Sequence, residues 1–158
     1  MKHLLFLILM LFCTSVYAQK SLLIDKNHLQ LYVLEKKGDL CDTIFSTPIG
    51  CGKNLGQKQK KGDNKTPEGV FTISQIKNSS QWTHNFKDGK GERKGAYGPY
   101  FFRLKVPGNN SIGIHGSCFP ESIGTRCSEG CIRVENKELT RLRPYIKVGM
   151  KCKILSDY

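Results

Sequence analysis

Alternating apolar and polar residues near the start of the chain predict short β-strands. In the segment 29–35, Leu29, Leu31 and Val33 fall on one face of an extended chain, and the segment 21–25 is similarly rich in apolar residues. The polar residues 25–27 between them predict a turn. A third extended run covers residues 40–49 and is followed by a loop of glycines, lysines and glutamines. The chain is therefore predicted to open with antiparallel hairpins.

The rest of the chain continues this pattern and adds one helix. After Asn136, which we expect to cap a helix, Leu139 and Leu142 fall on one helical face, and Pro144 lies near its end. The polar, Gly-rich residues 77–96 predict a loop. Four further strands are predicted, at residues 70–73, 101–106, 111–115 and 148–155. The sequence thus predicts a mainly β domain with one short helix.

The first 18 residues have the pattern of a secretory signal peptide. Lys2 precedes an apolar run from Leu4 to Phe12, which is too short to span a bilayer, and Val16 and Ala18 are suited to signal peptidase cleavage. The alternative is a buried N-terminal strand or helix. We therefore predict a signal peptide at 1–18 and one exported domain at 19–158, with no membrane insertion after cleavage.

The chain is strongly basic. Removing residues 1–18 takes away one lysine and no acidic residue, so the net charge changes from +12 to +11. Such a charge suits nucleic acid, an anionic surface or an acidic polymer. No RNA-binding aromatic motif or zinc-finger spacing accompanies it, which argues against nucleic acid. The alternatives that remain are attraction to an anionic cell wall and an ordinary solvated basic surface.

The richest candidate chemistry lies in residues 112–136. His115-Gly116 ends an apolar run, and Ser128-Glu129-Gly130-Cys131-Ile132-Arg133 follows after a variable loop. A cysteine nucleophile needs a base, a group that orients the base, and backbone N–H donors for the oxyanion. We predict that Cys131 is the nucleophile, His115 the base and Ser128 the orienting group. Gly130 is predicted to let the backbone approach a substrate closely.

This motif resembles that of the L,D-transpeptidases, bacterial enzymes that cross-link the cell wall. Their pattern is His-Gly, a variable loop, then Ser/Thr-x-Gly-Cys, an apolar residue and Arg or Asn, and each element is present here. The segment Thr66-Pro67-Glu68-Gly69-Val70-Phe71 also resembles a segment of that family. The resemblance implies a β-sandwich with one short helix, located in the periplasm or at the cell wall.

The resemblance also implies a reaction. Cys131 would attack the L-to-D peptide bond of a tetrapeptide stem of peptidoglycan, D-alanine would leave, and a second stem would form a 3→3 cross-link. Carbapenem antibiotics would acylate Cys131, and no metal or other cofactor is implied. Water as the acceptor would make the enzyme an L,D-carboxypeptidase, and a related hydrolase remains an alternative. The oligomeric state is left open.

Three residues are assigned to substrate binding: Arg133, Gly116 and Tyr100. In an extended segment Arg133 faces the same side as Cys131, so its cation would favour the thiolate and bind a substrate carboxylate. A plain surface salt bridge is the alternative for Arg133. His84, in the polar loop, is expected to be a solvated histidine rather than a catalytic one.

Two other classes of protein were weighed. His115, Cys118, Cys127 and Cys131 could ligate zinc, although their spacing is unlike a standard zinc knuckle and exported cysteines tend to oxidise. The third alternative is a wall-binding module without catalysis. The intact histidine, serine, glycine, cysteine and arginine of the motif argue against such a module.

Two finer expectations concern the surroundings of the nucleophile. Cys118 and Cys127 flank the variable loop and are predicted to form a disulfide, whereas Cys41 and Cys51 lie at opposite ends of one strand and should not pair. Many L,D-transpeptidases have a histidine where this chain has Glu129. We expect Arg133 to neutralise Glu129, with a solvent-facing Glu129 as the alternative.

Overall fold

The computed structural model describes residues 18–158. The predicted signal peptide therefore lies, apart from Ala18, outside the described residues. Within them no helix is long and apolar enough to cross a membrane. The strands are β1 Gln19–Asp25, β2 Gln30–Lys37, β3 Leu40–Gly52, β4 Gly69–Asn78, β5 Thr83–Asn85, β6 Glu92–Lys94, β7 Tyr100–Leu104, β8 Gly113–His115, β9 Arg126–Ser128, β10 Ile132–Val134 and β11 Lys151–Ile154, and the α-helix is α1 Asn136–Leu142.

Eight of these strands form a closed barrel. Their order is β10-β8-β7-β4-β11-β1-β2-β3, and β3 pairs with β10 to close the ring, while β9 pairs with the end of β3. The prediction of a mainly β domain with one short helix is confirmed. The layers expected of a sandwich are joined into a barrel because β3 is long: residues 40–48 pair with β2, and Ile49 and Gly50 pair with β10.

The barrel encloses a single apolar core. Strand alternation places Leu22 and Ile24 of β1 and Leu31 and Val33 of β2 inside, with at most 1% of each residue exposed. Helix α1 buries Leu139 and Leu142, as its periodicity predicts. Burial of such side chains contributes on the order of 2 kcal/mol each, so the barrel is a rigid support for the strand ends.

The predicted polar loop 77–96 is only partly a loop. Strand β4 continues to Asn78, and β5 and β6 form a small antiparallel hairpin with His84 opposite Arg93. The prediction of a structureless loop is therefore wrong for the middle of this segment. The sequence does not predict this hairpin, because its two strands have three residues each and show too few alternations of apolar and polar residues.

A buried cluster of charges ties the end of the chain to the barrel. Lys26 is only 1% exposed, and its Nζ lies 2.7 Å from Glu68 Oε1 and 2.8 Å from Asp157 Oδ2. Arg126 lies 2.6 Å from Asp157 Oδ1. Two cations and two carboxylates therefore balance, which is how buried charges are tolerated.

Replacing Lys26 with methionine is expected to lower the free energy of unfolding by about 3–5 kcal/mol. The change leaves the carboxylates of Glu68 and Asp157 with one cation between them in a buried place, and removing one partner of a buried ion pair is strongly destabilising. Urea unfolding of the purified domain measures the effect. Lys36→Met, at an exposed lysine of β2, is the control. A loss below about 1 kcal/mol would contradict the account.

Candidate active site

A cavity of about 270 Å³ lies beside β8 and β10. These two strands are parallel neighbours, and their register sets Arg133 beside His115. Cys131 directly precedes β10, and its side chain lines the cavity together with those of His115, Ser128 and Arg133. The sheet thus brings together the two halves of the motif, which are separated by the variable loop in the sequence.

His115 is held as a neutral base. It is 4% exposed, its ring stacks on Phe101 at a centroid distance of 5.5 Å, and its Nδ1 lies 2.5 Å from the carbonyl oxygen of Gly116. Because a carbonyl only accepts, Nδ1–H is the donor, and Nε2 keeps its lone pair. Burial lowers the pKa of His115 to about 4, although the Gly116 bond acts in the opposite direction. The imidazole is therefore uncharged at neutral pH.

Cys131 is held mainly as a thiol. Burial raises the pKa of Cys131, while a backbone hydrogen bond with Gly113 and the cations of Arg133 and Lys58 lower it by less. Its Sγ lies 3.4 Å from the carbonyl oxygen of Ser111. Since the thiolate is the reactive form, a base must remove the proton as the sulfur attacks. The unprotonated Nε2 of His115 is suited to that task.

The Ser128 hydroxyl does not orient His115, contrary to the prediction. It donates to the carbonyl oxygen of Cys131 at 2.6 Å and accepts the N–H of Gly130 at 3.0 Å. Ser128 therefore fixes the turn that presents the nucleophile. The group that orients His115 is the carbonyl of Gly116, a backbone contact that no side-chain pattern in the sequence reveals.

Gly130 is required by the protein's own backbone. Its φ is 136°, a region that side chains other than glycine rarely adopt, and a Cβ there would lie 2.6 Å from the carbonyl oxygen of Lys65. The structure thus shows a close approach to Lys65, and an approach to a substrate stays a prediction.

Ser128→Ala is expected to lower stability by about 1–3 kcal/mol and to slow acylation of Cys131. The change leaves the buried N–H of Gly130 without its acceptor. The pH at which acylation falls on the acid side should not move, because the hydroxyl does not touch His115. Thermal unfolding and the pH dependence of acylation measure both effects, with the exposed Ser156→Ala as control. If the pH at which acylation falls on the acid side differs between Ser128→Ala and the wild type, the hydroxyl orients His115 as the sequence predicts.

Both backbone groups of Gly116 make hydrogen bonds within the protein. Its N–H donates to the carbonyl oxygen of Tyr97 at 2.8 Å, and its carbonyl accepts from His115. A Cβ on Gly116 would overlap the Asn136 side chain. Its role in substrate binding stays a prediction.

Asn136 is the first residue of α1 but does not have the predicted capping role. Its side chain makes no helix cap; Oδ1 accepts the N–H of Ser117 at 3.0 Å, and Nδ2 donates to the carbonyl oxygen of Ser117 at 3.1 Å. It thereby clamps the chain just after His115-Gly116. In the sequence, the only indication of this contact is an asparagine soon after the cysteine motif. The same asparagine is equally typical of a helix start.

Tyr97 lies at the cavity, and Tyr100 does not. The ring of Tyr100 stacks on Phe102 and lies beneath the Arg143 guanidinium, so its predicted role in substrate binding is wrong. The ring of Tyr97 lies 5.0 Å from that of His115, and its hydroxyl lies 3.1 Å from Nδ1 of His84. The two tyrosines are three residues apart, and only the path of the chain distinguishes them.

His84 also lines the cavity and is half-buried, so the expectation of a solvated histidine is wrong. Its ring packs edge-on against Phe86 with the centroids 4.6 Å apart. The hairpin of β5 and β6 therefore forms a side wall of the cavity. The cavity holds a second imidazole in addition to that of His115.

Arg133 and Glu129 do not neutralise each other. In the part of the chain that the structure describes, neither has an ion-pair partner, and Glu129 is exposed at the rim of the cavity. The Arg133 guanidinium lies 5.9 Å from the Phe86 ring centroid. The expected Glu129–Arg133 pair is thus wrong, and Arg133 remains a cation available to an anionic ligand.

The cysteines are unpaired among residues 18–158. Cys118 and Cys127 are free thiols, so the predicted disulfide is wrong, and Cys41 and Cys51 are free as well. The sulfur of Cys127 faces strand β3, where a Cβ on Gly50 would lie 2.7 Å from it. The same residues contain no group of three His, Cys, Asp or Glu side chains placed to hold a metal ion. The zinc alternative therefore lacks a ligand set.

Comparison with known proteins agrees with this geometry. YqjB of Bacillus subtilis, which carries the name of an L,D-transpeptidase, is 33% identical over 98 residues, covering 61% of this chain and 56% of its own. YkuD of the same organism, similarly named, is 37% identical over 107 residues, covering 68% of this chain and 51% of its own. The chain thus spans about half the length of these curated relatives.

The fold agrees as well. The solved L,D-transpeptidase of Mycobacterium smegmatis superposes with a TM-score of 0.63 at 18% identity, covering 88% of this chain and 59% of that one. The YkuD family, described as the L,D-transpeptidase catalytic domain, matches residues 19–154. The match covers nearly all of the described residues, and the chain therefore belongs to the L,D-transpeptidase catalytic domain family.

Proposed function

We propose that this protein is an exported L,D-transpeptidase that joins peptide stems of peptidoglycan through an acyl-enzyme on Cys131. The observation that carries the proposal is the contact of His115 Nδ1 with Gly116, which leaves Nε2 free in the cavity that Cys131 also lines. A neutral imidazole beside a neutral thiol suits proton transfer during attack, without a resting ion pair.

The first step is acylation. The Cys131 sulfur attacks the carbonyl carbon of the L-to-D peptide bond, and its proton passes to Nε2 of His115. As the C–N bond breaks, His115 returns that proton to the amine of D-alanine, which leaves. The Gly130 N–H already donates to Ser128. The N–H of Cys131 is therefore the candidate donor to the oxyanion.

The second step transfers the acyl group. A side-chain amine of a second stem attacks the thioester, His115 takes a proton from the amine, and the Cys131 thiol is released with a 3→3 cross-link formed. Arg133 is proposed to bind a substrate carboxylate, for which a planar guanidinium is well suited. Thiol-based acyl transfer requires no metal or other cofactor.

Incubation of the purified protein, residues 19–158, with a disaccharide-tetrapeptide tests the proposal. D-Alanine release with a 3→3 dimer, detected by mass spectrometry, supports the transpeptidase. D-Alanine release without a dimer supports the second candidate, an L,D-carboxypeptidase, in which water is the acceptor. A folded protein that releases no D-alanine would overturn both and leave a wall-binding module.

Carbapenems are proposed as covalent inhibitors, because a strained lactam carbonyl is attacked by the same thiol. Export to the periplasm or cell wall is proposed from the pattern of residues 1–18. The basic charge of the chain is compatible with attraction to an anionic wall. Detection of the protein in the exported fraction, with its N-terminus near Gln19, tests the location.

A further inference from the structure

Thr66 is a buried threonine that the proposed mechanism does not use. It lies between the end of β3 and the start of β4, and only 1% of the residue is exposed. It is not one of the residues that line the cavity of Cys131. Because an unpaired polar group in a buried place is costly, its hydroxyl has to find hydrogen-bond partners within the protein.

The Thr66 hydroxyl joins the end of β3 to the turn before the nucleophile. It accepts the N–H of Gly52, the last residue of β3, at 2.8 Å, and it donates to the carbonyl oxygen of Gly130 at 3.0 Å. An N–H only donates and a carbonyl only accepts, so both roles of the hydroxyl are fixed. A strand of the barrel is thereby connected to the residue that precedes Cys131.

Two glycines allow the backbone around Thr66 to lie directly against both partners. A Cβ on Gly52 would lie 2.6 Å from the backbone nitrogen of Thr66, and a Cβ on Gly130 would lie 2.6 Å from the carbonyl oxygen of Lys65. Such distances are too short for a real side chain, so the close contact requires glycine at both positions. Thr66 is therefore held at a fixed place between β3 and the turn.

Three of the four polar backbone groups of Gly130 and Cys131 are bonded to side chains. Ser128 accepts the N–H of Gly130 and donates to the carbonyl of Cys131, and Thr66 donates to the carbonyl of Gly130. The fourth group is the N–H of Cys131, which has no acceptor within residues 18–158. This group is left available to a ligand in the cavity.

The direction of the Cys131 N–H follows from that of the Gly130 carbonyl. The peptide bond between these residues is trans, so its C=O and N–H point in opposite directions. The carbonyl points to the buried Thr66, which lies outside the lining of the cavity. The N–H therefore points away from Thr66, on the side of the peptide where the cavity lies.

We propose that Thr66 is a positioning residue for the oxyanion donor. By holding the Gly130 carbonyl, its hydroxyl fixes the plane of the Gly130–Cys131 peptide. The Cys131 N–H is thereby aimed in advance at the place where negative charge develops during acyl transfer. This inference rests on the proposed function in one respect, namely that Cys131 attacks a carbonyl group. It adds a residue that touches neither the substrate nor the reacting atoms.

Two reagents separate this role from a merely structural one. With p-nitrophenyl acetate, the Cys131 sulfur bonds to the carbonyl carbon, the carbonyl oxygen becomes negative, and p-nitrophenol leaves with the proton of the thiol. With iodoacetamide, the same sulfur displaces iodide from a methylene carbon and releases its proton, and no oxyanion forms. Peptide mapping by mass spectrometry gives both rates at Cys131 alone. A displaced thiol lowers both rates, whereas a displaced N–H lowers only the acylation rate.

Thr66→Val removes the hydroxyl and is expected to slow acylation about tenfold or more, while alkylation changes less than about twofold. The expected loss is smaller than the 10²- to 10³-fold typical of deleting an oxyanion donor, because the N–H is released rather than removed. Thr66→Ser keeps the hydroxyl and should restore acylation to within about threefold of the wild type. Thr47→Val is the matched control, since Thr47 is also buried and its hydroxyl donates to the carbonyl of Pro48. Neither rate should change in it.

Hydrogen exchange in the wild type provides a second test, which does not depend on a variant folding. The Gly130 N–H is bonded to Ser128, whereas the Cys131 N–H has no acceptor within residues 18–158. In protein labelled with ¹⁵N, the amide of Cys131 should therefore exchange faster than that of Gly130.

Four results would overturn the proposal. Equal slowing of acylation and alkylation by Thr66→Val would show a structural effect, and unchanged acylation would show that the hydroxyl has no role. A Thr66→Ser protein as slow as Thr66→Val would exclude the hydroxyl as the cause. A Cys131 amide that exchanges as slowly as that of Gly130 would show that its N–H is not free in the cavity. Failure of the proposed function is separate, since it would appear as absent D-alanine release by the wild type.

Discussion

Replacing Cys131 with alanine is expected to abolish both D-alanine release from the tetrapeptide and covalent labelling by a carbapenem. The sulfur is the atom that forms the thioester in the proposed mechanism, and alanine provides no nucleophile in its place. Chromatography of the released amino acid and the intact mass of the protein measure the two effects.

Cys41→Ala is the matched control for this loss. Cys41 is an exposed free thiol at the start of β3, so its removal should leave release and labelling unchanged. If Cys131→Ala retained full turnover, the whole mechanistic account would fail. Labelling of Cys131→Ala at Cys127, which also lines the cavity, would show that the cavity rather than one thiol determines reactivity.

Replacing His115 with alanine is expected to slow acylation about 10²- to 10⁴-fold, the range typical of a general base. The pH profile gives a sharper expectation. Since burial lowers the pKa of His115 to about 4, the wild type should keep its base form as pH falls through 6.5, and should lose activity only near pH 4. The second-order rate of carbapenem acylation between pH 3.5 and 9 measures this.

The same pKa shift affects stability. The folded state holds His115 neutral, so its contribution to the free energy of unfolding is fully present above the unfolded pKa of about 6.5 and is lost as pH falls through about 4.

His28→Ala, at an exposed histidine of the first turn, is the control for His115→Ala and should change neither the acylation rate nor its pH profile. A wild-type acid limb near pH 6.5 would show that His115 is not held neutral by burial.

The barrel strands and the candidate pair at the cavity, Cys131 and His115, could be predicted because both are local features of the sequence. Alternation in β1 and β2 reports directly which side chains face the core, and the correct inward residues follow from it. Cys131 and its neighbours form a compact motif in which several residue types must coincide. The helix carrying Leu139 and Leu142 was similarly visible.

What could not be predicted depends on contacts between distant parts of the chain. Asn136 contacts Ser117, which lies 19 residues earlier in the chain. The orienting contact of His115 is the exception, because it is made by the carbonyl of the next residue, Gly116, and depends on the local backbone conformation. Lys26 lies in a predicted turn, yet it is buried and forms ion pairs with Glu68 and Asp157. For Asn136 and Lys26 the partners are brought near by the folding of distant segments, which no sequence period encodes.

Direct capture of the acyl-enzyme tests the central claim. The claim is that the sulfur of Cys131 carries the acyl group of one peptide stem before that group is transferred. Wild-type protein mixed with the disaccharide-tetrapeptide is quenched in acid and analysed by intact mass and peptide mapping. The account predicts an adduct equal to the tetrapeptide compound without its D-alanine, located on the peptide that contains Cys131. D-Alanine release with the adduct on a different residue would contradict it.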